Sequence, residues 1–152
     1  MKAIAAIATG VLIMTSPADA APTRPAVEHF GRPTLNGQRL PFSDAVRVGD
    51  ILYLSGQIGI GPDNKLPDGI EAQTKQAMDN VGGVLKRAGL GYDDLFHCTA
   101  FLAAMKDWPA FNKVYLTYFP DGPLPARSAF GANGLALGAL LEIECQAYAG
   151  KK

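Results

Sequence analysis

Between Ile70 and Ala88, the positions Ile70, Thr74, Ala77, Val81, Val84, Leu85 and Ala88 fall three and four apart. This spacing predicts one amphipathic helix with a single buried stripe, stopped by Gly89. Such a stripe needs a layer to lie on, and the flanking sequence supplies strands. Ahead of it, "FSDAVRVGDILYLSGQIGI" predicts two strands, 42–48 and 51–60, joined at Gly49-Asp50, where Gly and Asp are turn chemistry. The stretch "GPDNKLPDG" is a loop. Behind the helix, "LFHCTAFLA" at 95–103 is apolar with little alternation, as in a central strand covered on both faces. Asp107 is placed to cap a second helix with Pro109 in its first turn, and Phe111, Val114, Tyr115 and Tyr118 line its inner side. "PDGP" at 120–123 ends it, and strands 127–130 and 141–148 follow around "GANGLALGA". The order ββ–α–β–α–ββ predicts an α+β layer: a mixed sheet with both helices on one face. No repeat or linker divides residues 41–150, and the uncovered sheet face gives the domain a reason to self-associate.

The N-terminal segment reads differently. Residues 1–20, "MKAIAAIATGVLIMTSPADA", combine Lys2, an apolar run from Ala3 to Met14, a breaker at Pro17 and the small-x-small Ala18-Asp19-Ala20. This is the pattern of a secretory signal peptide, too short to span a bilayer. It predicts cleavage between Ala20 and Ala21, an exported and periplasmic product, and no membrane segment in the mature form. Residues 21–40, rich in Pro, Gly and polar groups, form an extended N-terminal arm.

Fourteen basic residues balance fourteen acidic ones, so the basic excess of a nucleic-acid partner is missing. Two histidines and two cysteines without ligand spacing argue against a metal site. "GIGPDN" lacks the third glycine and the following helix of a dinucleotide loop, and "YLSGQ" is not a nucleophile elbow. Cys98 and Cys145 permit one disulfide in an oxidising compartment. As each sits in a β-rich run, the reading adopted is two buried small hydrophobes.

Two places hold potential chemistry. In "LEIECQAY", Leu141, Ile143, Cys145 and Ala147 point one way and Glu142, Glu144, Gln146 and Tyr148 the other. Two carboxylates on one strand face make either an acid/base pair or a solvated face. His97 and Cys98 point to opposite faces and form no dyad; His29 lies in the arm. In "PLPARSAFGANGL", Arg127 has no acidic residue within five positions on either side. It is either a surface charge or a socket for a ligand carboxylate.

The stretches "PFSDAV", "GDILYLSGQIG", "EAQTKQAMDNVGGVLKRAGL", "FNKVYLTYF" and "PARSAF…LEIE" resemble the RidA (YjgF/YER057c/UK114) family of enamine/imine deaminases. The resemblance implies a chorismate-mutase-like subunit and a homotrimer with ligand clefts between subunits. It also implies hydrolysis, without metal or organic cofactor, of short 2-imino acids or enamines to 2-keto acids and ammonia. 2-Aminoacrylate, 2-iminopropanoate and 2-iminobutanoate are such substrates. Arg127 matches the arginine that grips the substrate carboxylate, and Glu142 the glutamate that handles water and the departing nitrogen. Ser55, Gly56 and Asn112 match positions lining or bracing the cleft, leaving Glu144 as a structural carboxylate. Two residues depart from the pattern. Phe42 stands where many relatives carry a tyrosine, keeping a ring wall without the hydroxyl. Ala129 stands where relatives often have "RSC", leaving only the backbone N–H. The alternatives are a non-catalytic trimer that binds carboxylate metabolites or shields hydrophobic clients, and a ribonuclease, disfavoured by zero net charge.

Overall fold

The computed structural model describes residues 24–31, 34–35 and 38–150; the segment read as a signal peptide and the start of the arm lie outside these. Strand β1 (Val27–Phe30) and a small hairpin of β2 (Thr34–Leu35) and β3 (Gln38–Arg39) precede β4 (Ala45–Val48) and β5 (Ile51–Leu54). After β6 (Gln57–Ile58) comes helix α1 (Ile70–Arg87), then β7 (Leu95–Leu102), α2 (Trp108–Tyr115), β8 (Ala126–Gly131) and β9 (Leu141–Tyr148).

The sheet runs β1-β4-β5-β9-β7-β8, with β6 also on β9. Its pairs are antiparallel except β7 with β8, as a mixed α+β sheet requires. Gly49 at φ 58 turns β4 directly into β5, a left-handed conformation that glycine adopts without steric cost. Ala77, Met78, Val81, Val84 and Leu85 of α1 and Phe111 and Tyr115 of α2 join Leu52, Leu54, Cys98, Ala100, Ile143 and Cys145 of the sheet in one core. The predicted stripe of α1 is buried there, and Gly89 follows the helix at φ 75.

Four expectations change. The arm is not free: β1 pairs with β4 from Val27↔Val48 to Phe30↔Ala45, main-chain pairing that its mixed composition does not advertise. The second predicted strand breaks at Ser55–Gly56, because the backbone there leaves β5 and reaches a different part of β9 as β6. Asp107 makes no capping hydrogen bond; its backbone is already helical at the end of a 3-10 turn, Met105–Asp107. Strand β7 buries one face only. Leu95, Cys98, Ala100 and Leu102 point into the core, while Phe96 is exposed and Thr99 and Phe101 are half-buried.

The cysteines are also corrected. Cys98 and Cys145 are not free thiols; they form a disulfide. They are directly opposed across β7 and β9, both side chains pointing into the core, so strand adjacency brings together residues 47 apart in sequence. Closing a loop of that length restricts the unfolded chain by about 4 kcal/mol in the chain-entropy account.

Candidate active site

Arg127 and Ala129 point from β8 toward the helices, while Ala126, Ser128 and Phe130 are exposed. The Arg127 guanidinium therefore meets α2. Its central carbon lies 5.0 Å from the ring centre of Phe111 and 4.6 Å from that of Tyr115, a platform that attracts a cation through the ring faces. Its Nη2 donates to Asn112 Oδ1 at 2.6 Å. Pro109 in the first turn starts α2. The helical spacing of Phe111, Asn112 and Tyr115 then presents two rings and an amide to one side chain.

Among the described residues, the ion pairs are Lys75–Asp79, Arg87–Asp44 and Lys113–Glu71; Arg127 has no carboxylate partner. Burial pulls its pKa below the usual guanidinium value, an effect that Tyr115 partly opposes. It stays charged at any physiological pH. A partly dehydrated cation with one hydrogen bond given and no carboxylate partner has N–H groups left to donate to an anion. Tyr115 shows the same dryness. Its hydroxyl is buried without a hydrogen-bond partner, and burial raises its pKa while Arg127 pulls the other way.

The remaining predicted residues gather elsewhere. Glu142 alternates out of the core on β9, opposite Ile58, and its carboxylate lies over Gly56. A Cβ at residue 56 would sit 2.8 Å from the Glu142 carboxyl carbon, so a larger residue there would push that carboxylate aside. Ser55 Oγ donates to the Ser43 carbonyl at 2.7 Å, and Ser55 N to the Asp44 carbonyl at 2.9 Å. These bonds tie the break between β5 and β6 to the segment carrying Phe42, whose ring is 56% exposed. Glu144 is exposed.

Within one chain the predicted site residues thus fall into two separate groups. Glu142 is opposite Phe101 across β7 and β9, and Phe101 opposite Phe130 across β7 and β8. These three share the open face, whereas Arg127 and Ala129 share the helix face. Arg127, Asn112 and Ala129 make one half; Phe42, Ser55, Gly56 and Glu142 make the other. The sequence reading placed Phe111 and Tyr115 in the core and missed their second role. The signal available was an aromatic pair bracketing Asn112 shortly before the arginine.

The fold is an α+β domain in which, among the described residues, the Arg127 guanidinium has no carboxylate partner. Residues 36–149 match the family described as Endoribonuclease L-PSP. A mouse (Mus musculus) protein named 2-iminobutanoate/2-iminopropanoate deaminase is 40% identical over 112 residues, covering 72% of this chain and 82% of the mouse one. The crystal structure of YyfA, a Rid-family protein of Yersinia pestis, is 35% identical and superposes with a TM-score of 0.75, covering 81% of this chain and 99% of that one. E. coli TdcF with bound serine is 26% identical, with a TM-score of 0.74 and the same coverage. The chain belongs to the RidA (YjgF/YER057c/UK114) family, and its sheet and helices have that family's chorismate-mutase-like arrangement.

Proposed function

We propose that the protein is a hydrolytic deaminase of short 2-imino acids and their enamine tautomers, yielding 2-keto acids and ammonia. The observation that carries this reading is the counterion-free Arg127 on its aromatic platform. A guanidinium fork takes a carboxylate in two parallel charge-assisted hydrogen bonds. Relatives named as imine deaminases at about 40% identity supply the reaction class, and serine bound to TdcF is an amino acid held by a family member.

In this reading Arg127 fixes the substrate and withdraws charge from the carboxylate beside C2. Water bonds to C2 while the Glu142 carboxylate takes one of its protons. Glu142 returns that proton to the imine nitrogen, giving the carbinolamine; the hydroxyl proton then passes through the same carboxylate to that nitrogen as the C2–N bond breaks. The keto acid and ammonia are the products.

Separation of Arg127 from Glu142 in one chain supports a site completed by a second copy, in a homotrimer with clefts between subunits. The open sheet face supports the same assembly: Tyr53, Phe96, Phe130 and Tyr148 are exposed, and the Phe101 and Phe130 rings lie tilted there with centres 6.4 Å apart. The signal-like segment 1–20 and the Cys98–Cys145 disulfide together support export to an oxidising compartment. Imines there need a source outside the cytoplasm.

The test is ammonia release from freshly generated 2-aminoacrylate and 2-iminobutanoate, with the Arg127→Ala variant as comparison. Fast release that depends on Arg127 is expected. No release from a folded protein would favour a carboxylate-binding module instead.

A further inference from the structure

We infer that Leu116 and Leu124 tune this site to carboxylates carrying an apolar side chain of about three to four carbons, over those with one. The inference rests on Arg127 as the carboxylate grip and narrows the substrate class within that reading. A hollow of about 290 Å³ opens beside Arg127, walled by Asn112, Tyr115, Leu116, Leu124, Pro125 and Arg127 itself. This is near the small end of ligand pockets, about 300–1,000 Å³.

Its polar groups are concentrated at one place. Arg127 and Asn112 are joined by their hydrogen bond, and the rest of the wall is aromatic or aliphatic. Tyr115 and Pro125 are buried and form a fixed floor. Leu116 and Leu124 are 49% and 55% exposed. They come from separate segments: Leu116 opens the 3-10 turn after α2, and Leu124 stands three residues before Arg127 in the loop entering β8. In the single chain, two aliphatic side chains from different segments thus stay exposed on either side of a half-buried cation. A carboxylate seated on the guanidinium projects the rest of its chain along that wall. Each fully buried methylene strengthens binding about fourfold, and about half of that holds for a wall open on one side. A one-carbon side chain leaves both leucines in water; a branched four-carbon chain covers them.

The experiment measures binding of pyruvate, 2-oxobutanoate and 4-methyl-2-oxopentanoate to the purified chain by calorimetry. Wild type, Leu116→Ala/Leu124→Ala and Arg127→Ala are compared. Both leucines are exposed enough for the double variant to keep its melting temperature, which is checked first. The wild-type protein is expected to bind the six-carbon keto acid about tenfold more tightly than pyruvate, a ratio the double variant reduces to about twofold. Arg127→Ala should lose the whole series. A flat series in the wild type, or an unchanged ratio in the double variant, overturns the inference. Its failure is separable from that of the deaminase reading. The expected ratio without ammonia release from any imine sinks deamination alone, and release at equal rates across chain lengths with a flat binding series sinks only the side-chain preference.

Discussion

The Arg127 half-site and the Glu142 half-site solve opposite problems. The first holds a half-buried cation, and it is built from side chains: two rings beneath the guanidinium and one amide at its edge. The second holds a carboxylate beside a backbone break, and it is built from main chain. Gly56 vacates the space that Glu142 enters, and Ser55 fastens the break to the Ser43 carbonyl. The departures noted in the sequence divide between them. Ala129 lies on the Arg127 strand, where it keeps its backbone N–H. Phe42 lies in the Glu142 half, where a missing hydroxyl alters what water touches. In the proposed mechanism, gripping thus rests on side chains and water handling more on backbone shape.

The sharpest way to break that contrast is to remove the grip. Arg127→Ala is expected to lower kcat/KM for imine hydrolysis by about 10³-fold, the scale for losing a preorganised charge-stabilising donor. Circular dichroism should stay native, since this side chain is only half-buried. Glu142→Gln keeps shape and removes the proton relay. A loss of about 10²-fold, mostly in kcat, is expected from steady-state assays. Asn112→Ala frees the guanidinium to swing on its rings. A rise in KM of about tenfold with little change in kcat follows from the loss of one hydrogen bond to a charged group. Phe42→Tyr restores a hydroxyl to the Glu142 half; kcat is expected to rise about two- to fivefold, read by the same assay. Equal effects of the last two variants on KM and kcat would erase the division between gripping and water handling.

The periodic parts of the chain were legible in sequence. The stripe of α1, the hairpin at Gly49-Asp50 and the alternation of β9 all follow from local chemistry, because each residue's face is set by its own element. Arg127 stood out for the same reason, as a guanidinium among small residues, but its role came only from the family resemblance. What depends on strand order was not legible. Cys98 and Cys145 face each other only because β7 lies beside β9. Arg127 and Glu142 part only because β7 separates their strands while their side chains take opposite faces. The β1 pairing in the arm is main-chain chemistry that composition hides, and the platform of Phe111 and Tyr115 passed for core because helical spacing buries them.

The central claim is that one working site needs Arg127 from one copy and Glu142 from another. Mixing inactive Arg127→Ala and Glu142→Gln proteins under conditions that exchange subunits tests it directly. Clefts pairing an intact Arg127 with an intact Glu142 should then form, and ammonia release should return to a sizeable fraction of wild type. Native mass spectrometry would confirm that mixed assemblies are present. Mixed assemblies without any recovered activity would contradict the account, placing both residues' contributions within a single chain.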